Sequence, residues 1–360
     1  MSPSIAIVDG GSFVLPYDFQ LVKALAGRGA RVAFYGSETR YNGEFLDAMA
    51  QLPGVEVERR AVSGSVSARW KGVLAYAALL GRLWRQRRRH EVVNVQFSVL
   101  WPLELPLWWA LRRKLVFTVH NAVPHGFAGV RHGPTQRIAS IARSLTFVSE
   151  ATREDFMRRY GEGFRAKSQL LPHGLLPVAP LAGSVAYVPR GAPEALVFWS
   201  TVKPYKGVEL FAELARSPRL RGLSLEIYGA WDRSLLPLQR ELAGLGVKIR
   251  DGYLDAAELA RLLSRNVVFL LPYRDASQSG ALYSLLNHGC RFLCADAGDL
   301  GAFARRFGLE GLLLHERGAQ AVAEALEHLQ RNEPQVMQAL QQAQQALRWE
   351  RLMDDHAGWW

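Results

Sequence analysis

Cysteine is close to absent. The 360 residues hold two, Cys290 and Cys294. Two thiols cannot make a disulfide framework or a four-ligand zinc site, and a reducing cytosol is their simplest home. A secretory signature is also missing: MSPSIAIVDGG reads directly as a strand, with neither a charged leader nor a long apolar core. No apolar run reaches the roughly 20 residues of a membrane span. The richest stretch, SVLWPLELPLWWALRRKL at 98–115, is interrupted by Pro102, Glu104 and Pro106, so a transmembrane helix is rejected. The Gly-x-Gly-x-x-Gly pattern is lacking as well, and Gly10-Gly11 reads as a tight turn rather than a dinucleotide cradle.

What is present is a globular composition, 49% hydrophobic and 21% charged, with enough chain for two ordinary cores. The formal net charge of +11 favours anionic partners: phosphorylated substrates, an acidic membrane surface or nucleic acid. The cations cluster at Arg82, Arg85, Arg87, Arg88 and Arg89, and again at Arg112, Arg113 and Lys114. Both clusters adjoin Trp- and Leu-rich segments and neither lies in a recognisable nucleic-acid module, so nucleic acid is not expected as a partner.

Residues 5–8, a Gly10-Gly11-Ser12 turn, a helix over 17–27 and a strand over 31–35 form a βαβ unit. Further strands are expected at 55–59 and 92–96. Between them, Trp70, Val73, Leu74, Ala77, Leu80 and Trp84 fall at near-helical spacing, and the polar side turns basic toward Arg89. Packing on the sheet accounts for the apolar stripe. The arginine run exceeds what helix capping needs, and a membrane-surface role for Trp84, Arg85, Arg87, Arg88 and Arg89 is the second reading. Two readings also stand for 98–115: a helix whose Trp108 and Trp109 reach a membrane interface with Arg112 and Arg113 on headgroups, or an internal helix.

A strand over 116–119 ends in His120-Asn121, and Pro124-His125-Gly126 follows. Strands at 146–148 and 170–172 come next, the second running into His173-Gly174. A histidine at the carboxyl end of a parallel strand stands where such sheets bind ligands. That singles out His120, with Asn121, His125 and His173 as further candidates on an acceptor side. Over 176–193 the composition turns to Pro, Gly, Ala and Ser, as in a linker. A second α/β unit then has strands at 224–228, 247–250, 267–271 and 291–294 and helices at 258–264 and 281–288. Helices over 319–330 and 333–355 close the chain, the second Gln- and Ala-rich and expected to be solvated.

The second unit opens with FWSTVKPYKGVELF at 198–211, a short strand, a basic turn and a helix start. Two ammonium groups, backbone N–H groups and a helix dipole converge there, which makes an anion site suited to a diphosphate. The alternative is an ordinary turn with solvated lysines.

The ordered set TVHNAVPHG (118–126), LPHG (171–174), STVKPYKG (200–207) and LPYRDASQSGALYSLLNHG (271–289) resembles the retaining glycosyltransferases of family 4, over nearly the whole chain. The resemblance implies an α/β fold of GT-B type, with two Rossmann-like domains whose parallel sheets face a crevice and a C-terminal helix that returns to the N-terminal domain. The implied organisation is an acceptor- and membrane-facing domain at 1–175, a linker at 176–193, a nucleotide-sugar domain at 194–335 and a helical tail at 336–360. It implies that Lys206 and Lys203 hold the donor diphosphate, with Ser200, Asp275, Ser277, Gln278, Ser279 and Gly280 around the donor and Gly10 and Gly11 in the first loop facing it. His120 matches the histidine near the reacting carbon. Two family glutamates eight positions apart are replaced here by Ala276 and Ser284. Asp275, beside the first, is a substitute.

Asp-x-Asp is absent, and the lysines take the place of a metal in neutralising the leaving diphosphate. The expected protein is a metal-independent retaining hexosyltransferase without a cofactor. Its donor is a UDP- or GDP-sugar and its acceptor a lipid-linked saccharide. It works in polysaccharide or glycolipid synthesis for the cell envelope, peripheral on the inner, cytoplasmic face of an anionic plasma membrane. A catalytically idle relative serving as a binding or assembly subunit is the alternative.

Overall fold

A computed structural model describes residues 3–39, 42–61, 69–123, 133–276 and 279–355. Two compact units divide the chain: residues 1–174 with 348–360, and residues 175–347.

The first unit alternates β1 (Ser4–Asp9), α1 (Leu15–Gly27), β2 (Arg31–Glu38), α2 (Gly43–Ala50), β3 (Val55–Ala61), α3 (Arg69–Gln86), β4 (Val92–Phe97), α4 (Trp101–Leu111), β5 (Leu115–Val119), α5 (Gly133–Ile141), β6 (Ser144–Phe147), α6 (Glu150–Tyr160) and β7 (Ser168–Leu170). All seven strands are parallel, in the order β3-β2-β1-β4-β5-β6-β7. The order reverses between β1 and β4. In an open α/β sheet that reversal leaves a crevice at the carboxyl ends of the two strands, where ligands bind. β1 is buried along its whole length, as the sequence SIAIVD requires of a central parallel strand covered on both faces.

The second unit runs β8 (Ala195–Trp199), α7 (Leu210–Arg216), β9 (Ser224–Gly229), α8 (Leu236–Gly244), β10 (Lys248–Asp251), α9 (Ala256–Ser264), β11 (Val267–Leu271), α10 (Gly280–Asn287), β12 (Arg291–Ala295), α11 (Gly298–Arg306), β13 (Leu313–Leu314), α12 (Ala319–Arg331) and α13 (Glu333–Ala346). Its parallel sheet is ordered β10-β9-β8-β11-β12-β13, with the reversal between β8 and β11. α14 (Trp349–Asp355) belongs to the first unit. There Trp349 packs on Tyr17 at 5.1 Å and Arg28 donates to the Glu350 carbonyl at 2.9 Å.

Several expectations are corrected. The stretch 176–193, expected as a linker, carries no helix or strand and packs on the second unit. Tyr187 is buried and donates to the Cys290 carbonyl at 3.2 Å, and Ser184 donates to Asn287 at 2.7 Å. The tail is two helices broken at Leu347-Arg348, and α13 is not simply solvated: buried Gln344 donates to the carbonyls of Leu286 and Val185. Tyr76, Leu79, Leu80 and Leu83 form the core face of α3, whereas Leu74 and Trp84 of the expected stripe are 69% and 42% exposed. Both cysteines are buried, and burial pushes each thiol up to about 12, so neither is reactive.

Among the described residues no helix is long and apolar enough to cross a membrane. α4 shows why its sequence misleads. Buried Glu104 accepts from the Tyr76 and Ser98 hydroxyls, the Val99 and Leu100 amides and the Trp108 indole. Five donors satisfy one buried carboxylate and tie down the free amides at the start of the helix.

Candidate active site

In the second unit the site is built where β8 and β11 part. After Trp199 the chain keeps its pairing through a bridge from Val202 to Trp231. It then turns through a short 3-10 segment, Pro204–Lys206, into Gly207. Gly207 has φ +69, and a Cβ there would overlap the Pro272 carbonyl oxygen. That close approach, together with the Arg274 amide on the Tyr205 carbonyl at 2.8 Å, locks the PYKG turn onto the PYR loop after β11.

Lys206 is consequently buried at 7% exposure. Its ammonium donates to the Ser200 hydroxyl and lies 5.2 Å from the Tyr273 ring centroid and 5.7 Å from that of Tyr205. It makes no ion pair among the described residues. Burial, and then the charge of nearby Lys203, pull it down to about 7. Lys203 itself is exposed and lies within electrostatic reach of Asp232. One part of the expected anion site is corrected. α7 has seven residues, and the amides of Leu210, Phe211 and Ala212 bond back to Gly207, Val208 and Glu209, so no open helix start adds to the lysines.

Buried Ser279 caps α10, its hydroxyl accepting from the Leu282 amide at 3.3 Å. Gly280 begins that helix, and a Cβ there would meet only Leu176 at an ordinary distance, so packing does not demand glycine. Asp275 is exposed. Ala276 is buried, and its carbonyl accepts from the Asp299 amide at 2.8 Å. Ser284 is buried within α10. Ser277 and Gln278 lie outside the described residues, as does His125.

In the first unit His120 follows β5 and stacks on Phe97, which ends β4, with ring centroids 4.8 Å apart and planes 8° apart. Its Nε2 faces the Gln96 Oε1 at 2.7 Å. The Gln96 amide nitrogen in turn donates to Asn94, and Asn94 donates to Thr118 at 2.9 Å. Because the Gln96 amide nitrogen is engaged, its oxygen is an acceptor and His120 Nε2 carries the proton. Asn121 follows, half-buried.

The Gly10-Gly11 loop leaves the end of β1. A Cβ on Gly10 would strike Tyr76, and one on Gly11 would strike Phe13. Ser12 takes φ +50 and accepts from the Ser37 amide at 2.9 Å. Beneath the loop Asp9 and Asp18 are fully buried. The Val14 amide donates to Asp9 Oδ2 at 3.1 Å. Among the described residues no N–H group reaches either Asp18 oxygen, and the Asp9 carboxyl is its neighbour. Desolvation raises both carboxyls, that of Asp18 strongly, which favours their protonated forms.

His173 is corrected as an acceptor-side residue. It is 1% exposed, packs on Tyr17 at 5.1 Å, and its Nδ1 meets the Gly174 carbonyl at 2.9 Å. Burial lowers it to about 4, so it is a neutral core histidine. Trp108 is corrected as a membrane contact: it is completely buried and donates to Glu104. Trp84, Arg85, Arg88, Arg89, Trp109, Arg112 and Arg113 are exposed and Arg87 half-buried. Sequence reasoning missed Gln96, Tyr273, Asp9 and Asp18. Asp9 ends a strand, Gln96 is the last residue but one of another, Tyr273 follows a third and Asp18 lies in the first turn of α1, but only the sheet order shows which ends come together.

Residues 18–175 match the family model for Glycosyltransferase Family 4. Among curated proteins none matches the chain. Of solved structures, HepE of Anabaena in complex with UDP-glucose is 15% identical at a TM-score of 0.68, covering 98% of this chain and 98% of that one. Sucrose-phosphate synthase of Thermosynechococcus elongatus is 17% identical at 0.66, covering 99% and 97%. WaaG, a glycosyltransferase involved in lipopolysaccharide biosynthesis, is 15% identical at 0.59, covering 99% and 100%. Residues 18–175 thus resemble Glycosyltransferase Family 4, and the chain carries the two-unit α/β fold of GT-B glycosyltransferases.

Proposed function

We propose that the protein is a retaining, metal-independent glycosyltransferase that moves a hexose from a UDP- or GDP-sugar to a lipid-linked saccharide, at the cytoplasmic face of an anionic membrane. The observation that carries this reading is Lys206, a buried ammonium at the β8/β11 switch point that has hydroxyl and ring neighbours and, among the described residues, no carboxylate partner. An uncompensated buried cation is costly unless a ligand brings the missing charge. A diphosphate does so. The relative HepE, seen with UDP-glucose, supports a uridine donor.

In the proposed reaction an acceptor hydroxyl attacks the anomeric carbon from the face that the diphosphate leaves. The bond to the diphosphate oxygen breaks, that oxygen takes the hydroxyl proton, and Lys206 with Lys203 stabilises the charge that develops on the leaving group. Ser200, Asp275, Ser277, Gln278, Ser279 and Gly280 hold the donor, with Gly10 and Gly11. His120, kept in one tautomer by Gln96, serves the reacting carbon and the acceptor beside Asn121 and His125.

Nucleotide release from a panel of sugar nucleotides, with and without a membrane lipid extract, tests the proposal. Lipid-stimulated release that falls on the order of 10²-fold in Lys206→Ala is expected. No release with any pair would sink it. That outcome would favour the idle relative, for which the loss of both family glutamates, at buried Ala276 and Ser284, is the motive.

A further inference from the structure

α3 carries two apolar stripes, and the sheet covers one. Tyr76, Leu79 and Leu83 go inward. Ala77, Gly81 and Trp84 turn instead toward Leu103, Pro106 and Leu107 of α4, and the two helices enclose an open groove of about 410 Å³. Among the side chains that line it, the Trp84 indole nitrogen is the only polar atom. An extended peptide laid there would find no partners for its backbone amides, whereas a hydrocarbon chain needs none.

The surroundings set the charge of the occupant. Arg87 lies over the Trp84 ring at 3.8 Å and Arg112 over the Trp109 ring at 4.4 Å, each also donating to the carbonyl of that tryptophan. Arg137 of α5 lies 5.2 Å from Trp101. Among the described residues none of Arg85, Arg87, Arg88, Arg112 and Arg113 makes an ion pair. A second copy of this chain would set that arginine rim against itself in a two-fold contact. Amphipathic tryptophans beside unpaired guanidinium groups, around a hydrocarbon-lined slot, match the interfacial zone of an anionic bilayer.

We propose that the α3/α4 groove takes up one hydrocarbon chain of an anionic phospholipid from the bilayer surface, with the lipid phosphate on the arginine rim. The proposal deepens the reading of the protein as one that works at a membrane, and it does not depend on the sugar or the donor. The experiment is tryptophan quenching by phosphatidylglycerol brominated on its acyl chain, in vesicles of equal parts phosphatidylcholine and phosphatidylglycerol. A Cβ on Gly81 meets open space, so Ala77→Leu with Gly81→Leu fills the groove without a backbone clash.

The expected results are quenching of the wild type and affinity for these vesicles lowered about tenfold in the filled variant. A comparable loss is expected when Arg85, Arg87 and Arg88 are changed to Gln. Three outcomes overturn the proposal: equal quenching in the filled variant, undiminished binding to phosphatidylcholine alone, or a dimer in solution that is abolished by the filling substitutions. Binding of nucleoside diphosphate, measured on the same preparation, reports separately on the glycosyltransferase reading.

Discussion

The Lys206 ammonium donates to the Ser200 hydroxyl across the PYKG turn, and burial with Lys203 nearby holds it at about 7. A diphosphate placed beside it favours the charged form, so binding above that pH takes up a proton. Affinity for a nucleoside diphosphate should fall as pH rises through and beyond 7, by up to about tenfold per pH unit. Titration calorimetry in buffers of different ionisation enthalpy counts the proton. Lys206→Arg should remove the pH slope, because a guanidinium stays charged. A flat profile in the wild type would exclude Lys206 as the diphosphate ligand.

The turn itself depends on Gly207. Alanine there meets both a left-handed backbone, φ +69, and the Pro272 carbonyl. Gly207→Ala should destabilise by about 1–3 kcal/mol from backbone strain, with the clash adding to it. Gly81→Ala, in open space inside α3, should stabilise by about 0.5–1 kcal/mol. Urea unfolding of both variants measures the contrast, and equal effects would mean that the turn is not held as described.

Those two glycines show how far the sequence could be read. The PYKG run marks a turn by composition, and the two α/β units follow from alternating strands and helices. The Pro272 carbonyl that makes Gly207 obligatory is 65 positions away and enters only when β8 and β11 become neighbours. The same holds for Gln96, an unremarkable strand residue until β4 lies beside β5 and brings it to His120. Trp84 and Trp108 illustrate a different limit. Both sit in aromatic helices beside arginines, yet one is exposed and the other fills the core. Helical spacing gives the stripes, but on α3 it cannot say which of two apolar stripes the sheet takes.

Gln96 fixes the tautomer of His120, so its replacement should act on turnover more than on binding. Gln96→Leu leaves the Nε2–H without its acceptor, at a cost of about 1–3 kcal/mol. A fall in kcat on the order of tenfold, with KM for the donor little changed, is expected. Gln96→Glu puts a carboxylate beside the ring and should raise the His120 pKa. Steady-state rates and the imidazole proton resonances of both variants check this. Unchanged kcat in Gln96→Leu would remove His120 from the reaction.

Asp9 and Asp18 make stability depend on pH in the sense opposite to an ion pair. Desolvation raises both carboxyls above the ordinary 3.8, so the folded protein keeps a proton that the unfolded chain has released. Stability therefore falls as pH climbs above about 4, and the loss is complete once pH exceeds the raised folded value. Asp18→Asn keeps the shape and supplies an N–H toward Asp9 without a titrating proton. The variant should melt higher than the wild type at neutral pH, on the order of 2–4 °C for each kcal/mol relieved in the first unit. The gap should narrow as the pH is lowered through 4 and below, where the unfolded chain also takes up the protons. A thermal-melt series across that range decides it. A variant less stable at neutral pH would show that the Asp18 carboxyl is charged and satisfied, and that no proton is held beneath the Gly10-Gly11 loop.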